Sequence, residues 1–192
     1  MSSPKTYSRA LRIVHWLIAG VFLFIMLTIF LRQNWMNKDH MGMILRSELL
    51  KRNIELSGKE ASLIGKSIRA PMWQWHTVAG YILLGLYLIR MIVLKVEGAT
   101  FENPFKAGIT GKDRLKSTIY LLFYGCFATS LLTGILIVWG KQWHDLHRIA
   151  VKIHILSMYY AVAFVVLHLV GLVFAELGKN KGIISRMIHG GS

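Results

Sequence analysis

IAVKIHILSMYYAVAFVVLHLVGLVFA, residues 149–175, decides how the rest of the chain reads. It is mostly apolar and long enough for a helix to cross a hydrocarbon layer of roughly 30 Å. Inside it sit His154 and His168, 14 residues apart. At about 100° per residue that spacing is close to four whole turns, so both imidazoles leave nearly the same helix face, about 21 Å apart along the axis. An imidazole in hydrocarbon is costly and marks function. One helix therefore offers two ligands at two depths.

Working outward, three more apolar runs of spanning length appear at roughly 11–31, 73–96 and 117–139. Gly20, Gly80, Gly85, Gly125, Gly134 and Gly171 fall in the runs and suit close helix approach or room for a flat macrocycle. Two of the runs carry a histidine near their start, His15 in the first and His76 in the second. Successive spans alternate direction, so both termini share one side. His76 then lies level with His154, on the side opposite the termini, and His15 lies nearer the level of His168. The expected pairs are His15 with His168 and His76 with His154. The fold class predicted is all-α: an integral membrane antiparallel four-helix bundle, one domain over 1–192, with two ligand pairs stacked across it.

Composition agrees. The chain has 192 residues, is 54% hydrophobic and carries a net charge of +14. A soluble protein this basic would suggest nucleic acid, but no groove-reading or base-stacking motif is present, and the Lys and Arg residues flank apolar runs where they meet lipid phosphates. Cys126 is the one cysteine. That removes intramolecular disulfides, cysteine-held iron–sulfur clusters and thioether attachment of haem. The amino terminus, Met-Ser-Ser-Pro-Lys, shows no small-residue cleavage site after the first run, so that run reads as a retained anchor. Twelve of the 23 Lys and Arg residues fall on the terminal side, so charge hardly orients the bundle. Trp35, Trp73, Trp75, Trp139 and Trp143 mark an aromatic belt on the other side.

Two imidazoles per site suit haem iron. They fill both axial positions, and an iron so held passes electrons without binding oxygen. With no cysteine attachment, the predicted cofactor is two haem b groups. The alternatives are histidines that merely bond neighbouring helices, and a zinc site, which would need its ligands gathered around one metal rather than split between two depths.

Arg90 follows His76 by 14 residues, on the same face and about 21 Å deeper, at the level of the terminal-side pair. It reads either as a partner for a haem propionate or as an interfacial arginine, and so does Arg12, three residues before His15. His144 and His147, in WHDLHR, are either an exposed loop pair or a binder of a proton, a quinone oxygen or a metal; His147 also precedes His154 by seven residues and so rivals it as a ligand. His40 and His189 read as surface residues. The polar stretch 32–71 contains an amphipathic segment at 41–50 that is either a short surface helix or a solvated loop.

The residues also match a family. Tyr7-Ser8-Arg9 through His15-Trp16 resembles the opening of bacterial cytochrome b561 proteins. Trp75-His76-Thr77-Val78-Ala79-Gly80 through Ile89-Arg90 and Ile119-Tyr120-Leu121-Leu122-Phe123 are similar to their later spans, and His154 and His168 complete the set. The resemblance implies a cytochrome of the bacterial inner membrane with cytoplasmic termini. Its two b haems would be held by the pairs above, and electrons would pass between quinone and a redox partner. One branch of similar size oxidises superoxide and reduces ubiquinone. The 32–71 insertion departs from that branch and offers a docking surface for a protein partner. Hydrogenase-type relatives usually have a fifth helix, which the four spans read here do not include. Three functions follow: an electron relay, a superoxide:quinone oxidoreductase with Lys141, Arg148 and Lys152 steering the anion, and a non-redox protein with structural histidines. The expected quinone pocket lies near Arg9, Arg12, His15 and Arg90, with the His144–Asp145–His147 cluster as the opposing site.

Overall fold

Backbone groups inside hydrocarbon have no water to bond, so an apolar run of spanning length folds as a helix that satisfies itself. The computed structural model describes residues 7–98, 103–178 and 181–190. Its helices are α1 (Arg9–Gln33), α2 (Lys38–Leu50), α3 (Gly58–Ile68), α4 (Ala70–Val96), α5 (Gly111–Trp139), α6 (His144–Leu177) and α7 (Ile183–His189). The described residues form no strand. Four stretches are long and apolar enough to cross a membrane: α1, α5, α6 and Gly58–Val96, which joins α3 to α4 through Arg69. The protein is therefore all-α with the four spanning helices expected of a membrane bundle. The reading of the amino terminus falls on residues 1–5, which lie outside the described residues.

The helices overrun the apolar runs for local reasons. α5 starts at Gly111, ahead of the expected 117, because Thr110 caps it: the Thr110 hydroxyl oxygen accepts from the Asp113 amide at 3.2 Å. Lys112, Asp113 and Arg114 make this first turn polar, and Lys116 follows it. α6 starts at His144 rather than 149 and reaches 34 residues. It leaves Leu156, Val162, Val166, Leu169 and Phe174 exposed. So much bare apolar surface suits lipid rather than water.

The chain packs as two compact units, 18–85 and 1–17 with 86–192. In the first, the stretch expected as a polar loop is a helical hairpin. Asn37 caps α2, accepting from the Asp39 amide at 2.9 Å. Ser57 and Glu60 form a reciprocal capping box at the start of α3. The two helices cross on glycine: a Cβ at Gly65 would stand 2.3 Å from the Lys38 carbonyl oxygen, and one at Gly42 would stand 2.8 Å from the Ala61 carbonyl carbon.

In the second unit, α5 and α6 pack through aromatic and hydroxyl side chains. Phe123 stacks on Phe164 at 3.4 Å between ring centres, and the Tyr160 hydroxyl donates to Ser130 Oγ at 2.7 Å. Ser130 Oγ also bonds Ser157 Oγ. The short α7 is held at both ends: Glu176 accepts from the Gly182 amide at 2.7 Å, and the Trp16 indole and the Arg12 guanidinium donate to the Met187 and Ile188 carbonyls at 3.2 and 3.0 Å.

Candidate functional site

His154 projects from α6 toward the α5 backbone. Its Nδ1 lies 3.1 Å from the Ser130 carbonyl oxygen and 3.2 Å from Thr133 Oγ1. The Thr133 hydroxyl donates its one proton to the Thr129 and Ser130 carbonyls at 2.7 and 3.1 Å. A hydroxyl so committed only accepts from the ring, and a carbonyl only accepts, so Nδ1 carries the proton and Nε2 keeps its lone pair. Gly134 makes the space: a Cβ there would stand 3.2 Å from His154 Cε1.

The unit of residues 18–85 repeats the device at His76. Thr28, 2% exposed, donates to the Ile25 carbonyl at 2.6 Å and lies 2.8 Å from His76 Nδ1. The His76 ring stacks on Trp73 at 4.6 Å and 3°. An apolar cavity of about 250 Å³ lies nearby, lined by Gly20, Val21, Phe24, Val78, Ala79 and Ile82 among others.

His15 and His168 belong to one unit, and their ring centres are 6.2 Å apart. Two imidazole–metal bonds of about 2 Å, each with about 1 Å from nitrogen to ring centre, span roughly 6 Å. His168 stacks on Phe164 at 5.5 Å and 17°, and Phe164 continues onto Phe123. Arg90 donates from Nε to the Tyr124 hydroxyl at 2.8 Å. The four spanning-segment histidines are all half-buried. Among the described residues no three His, Cys, Asp or Glu side chains gather around a point that would hold a single metal ion.

A family model described as prokaryotic cytochrome b561 matches residues 6–190. The chain belongs to this family. No curated protein and no solved structure in the comparisons matches it. As a cytochrome of this family it is a multi-pass membrane protein that binds haem b and transfers electrons.

The other expected residues of the cytochrome fall as follows. Arg12 serves the end of α7: besides its bond to Ile188, its guanidinium packs on Gly190, where a Cβ would stand 2.9 Å from Cζ. Its Nε is buried and lacks a hydrogen-bond partner among the described residues, as does Arg186 Nε. A buried guanidinium N–H of this kind fits a carboxylate, the group a haem propionate would bring. Asp145 accepts from Arg148 at 3.1 Å, and an open groove of about 580 Å³ is lined by Trp143, His144, Asp145 and Leu146. His147 is half-buried, and His40 and His189 are exposed. Thr28 and Thr133 were not found from the sequence. Their signal was a hydroxyl inside an apolar run, where it must find a partner.

Proposed function

We propose that the protein is a di-haem b cytochrome that relays electrons across the bacterial inner membrane between the quinone pool and a redox partner, with cytoplasmic termini. The observation carrying this reading is the histidine set on α6. The ring centre of His168 is 6.2 Å from that of His15, a separation that suits two imidazoles on one metal, and His154 lies about 21 Å away on the same helix. The pairs proposed are His15 with His168 and His76 with His154, from their order of depth along the chain. Haem b, when bound, would supply a one-electron couple, and these histidines would hold it. The protein does the rest. Thr133, Ser130 and Thr28 would keep the proton on Nδ1 and so present Nε2 to a haem iron. Phe164 fixes the plane of His168. Arg90 and Arg12 are proposed to bind propionate carboxylates.

Quinone is proposed to bind near Arg9, Arg12, His15 and Arg90, where a polar edge meets an apolar wall. The groove at His144 and Asp145 favours a second location on the opposite face. A protein redox partner is proposed to dock on the α2–α3 hairpin. The second function, superoxide oxidation, draws on Lys141, Arg148 and Lys152 as an anion funnel, although Arg148 is paired with Asp145.

A pyridine haemochrome assay on purified protein tests the reading, with two haems per chain expected. His154→Ala and His76→Ala should remove the same haem, and His15→Ala and His168→Ala the other. One haem per chain, or crossed losses, would overturn it. Stopped-flow mixing with superoxide separates the relay from the oxidase.

A further inference from the structure

Gly58–Val96 is one apolar stretch of 39 residues, about 58 Å as a helix against a hydrocarbon layer of roughly 30 Å. α4 alone, with 27 residues, is long enough to cross. α3 must therefore leave the hydrocarbon. The break falls at Arg69, and Pro71 just beyond it lacks the N–H that a continuous helix would donate. Arg69 and Trp73, one turn apart, are residues suited to the headgroup level. Arg32, in the last turn of α1, lies over the Trp73 ring at 4.9 Å.

The α2–α3 hairpin has two unlike sides. On α3, Ile64 and Ile68 share one exposed face, and Lys59 and Lys66 share the opposite one. On α2, the exposed Ile44 and Arg46 diverge by about 200°. The bond from Ser62 to Asp39 at 2.7 Å sets which sides coincide, because Asp39 shares a face with Arg46 and Ser62 with Lys66. Arg46 and Lys66 therefore occupy one side of the hairpin. Ile44, Ile64 and Ile68 occupy the other, in the half next to α4. Toward the tip this apolar side ends at Glu48, paired with Lys51, and at Glu60, spent in the capping box. Ile68 precedes Trp73 by five residues, about 7.5 Å along a helix, so lipid already lies at its level.

We propose that the foot of the hairpin rests in the bilayer surface. Ile44, Ile64 and Ile68 enter the boundary between headgroups and acyl chains, and Arg69 meets the phosphates. The basic side, which also carries Met43 and Leu50, stays open to the protein partner proposed above. No part of this lipid contact depends on the haem sites.

The test is spin-label accessibility on the full chain in phospholipid nanodiscs, with Cys126→Ala removing the native thiol. Labels are placed singly at Ile64→Cys, Ile68→Cys, Arg46→Cys and Lys66→Cys. Oxygen concentrates in lipid and a nickel chelate in water. The ratio of oxygen to nickel collisions should be several-fold higher at the two isoleucine positions than at the two basic ones. Equal ratios on the two sides overturn the proposal and leave the hairpin standing in water. Shielding of Ile64→Cys and Ile68→Cys from both reagents also overturns it, by showing that protein covers them. A lipid-soluble carbene reagent on the unaltered chain makes the same assignment without substitutions. Insertion is expected at residues 64 and 68 and not at 59 or 66. Insertion confined to α4, or equal on both sides of α3, overturns the proposal.

Discussion

The α2–α3 hairpin and the α5–α6 pair are both antiparallel helix contacts, yet they are held in different ways. The hairpin is built as helices in water are built. Each helix begins on a side-chain cap, Lys38 and Lys51 make ion pairs, and the crossing places backbone against backbone at Gly42 and Gly65. The α5–α6 contact has neither ion pair nor cap at its centre. It uses stacked rings at Phe123 and Phe164, hydroxyls at Ser130, Thr133 and Ser157, and the bond from His154. Between helices in hydrocarbon there is no hydrophobic force to gain, so close packing and hydrogen bonds carry the association. The comparison teaches that polar groups in the hairpin secure the fold, whereas polar groups in the spans also orient histidine rings.

Gly65→Val tests that contrast with the largest effect. The new Cβ would meet a backbone oxygen at 2.3 Å, which cannot turn aside as a side chain can. Overpacking of this kind costs about 1–3 kcal/mol or more. Hydrogen exchange should show α2 and α3 losing protection, with the haem spectrum unchanged. Retained protection in α2 would show that the glycine crossing does not hold the pair.

Gly134→Ala probes the other region. Its Cβ would stand 3.2 Å from His154 Cε1, so the ring must move by a few tenths of an ångström. The expected result is a changed low-spin spectrum for one haem, with hairpin protection intact. An unchanged spectrum would mean that Gly134 does not set the ring's position.

The two regions also differ in how far the sequence revealed them. The four spans were legible because a mostly apolar run of about 20 residues has one outcome in a membrane. Helical spacing alone placed His154 and His168 on one face. The second hairpin helix was not read. GKEASLIGKSI, residues 58–68, looks like a polar loop with two glycines, which ordinarily weaken a helix. Gly65 is there because a second backbone approaches it, a long-range fact. The local signal that did exist was Ser57 with Glu60 three residues on. Thr28 and Thr133 were missed for a related reason, since a hydroxyl's partner depends on which helices face each other. The tie between Arg12 and Ile188 joins residues at opposite ends of the chain, and no periodicity encodes it.

Ser57→Ala sharpens the comparison at smaller scale. It removes the capping box and should cost about 1 kcal/mol. Amide exchange should accelerate in the first turn of α3 and leave α5 and α6 unaltered. Equal loosening of α5 would break the separation between the two regions.

The smallest expected effect concerns Asp39. Bonds from the Lys38 ammonium and the Ser62 hydroxyl hold its carboxyl below its ordinary value, and it bridges α2 to α3 through Ser62 at 2.7 Å. A carboxyl depressed in the folded state contributes stability that is fully present above its unfolded value, about 3.9, and is lost as pH falls through the lower folded value. Hairpin protection, corrected for intrinsic exchange, should therefore stay flat from neutral pH to about 5 and decline only in stronger acid. Asp39→Asn should abolish that acid decline and show the weakened hairpin already at neutral pH. Comparing Ser57→Ala with the double variant Ser57→Ala/Asp39→Asn removes the capping carboxylate of Glu60 from the reading. A decline that persists in the double variant would show that Asp39 is not the source of the acid sensitivity. The α2–α3 contact would then be held by its glycine crossing and the Lys38 bond to Ser62 at 3.0 Å.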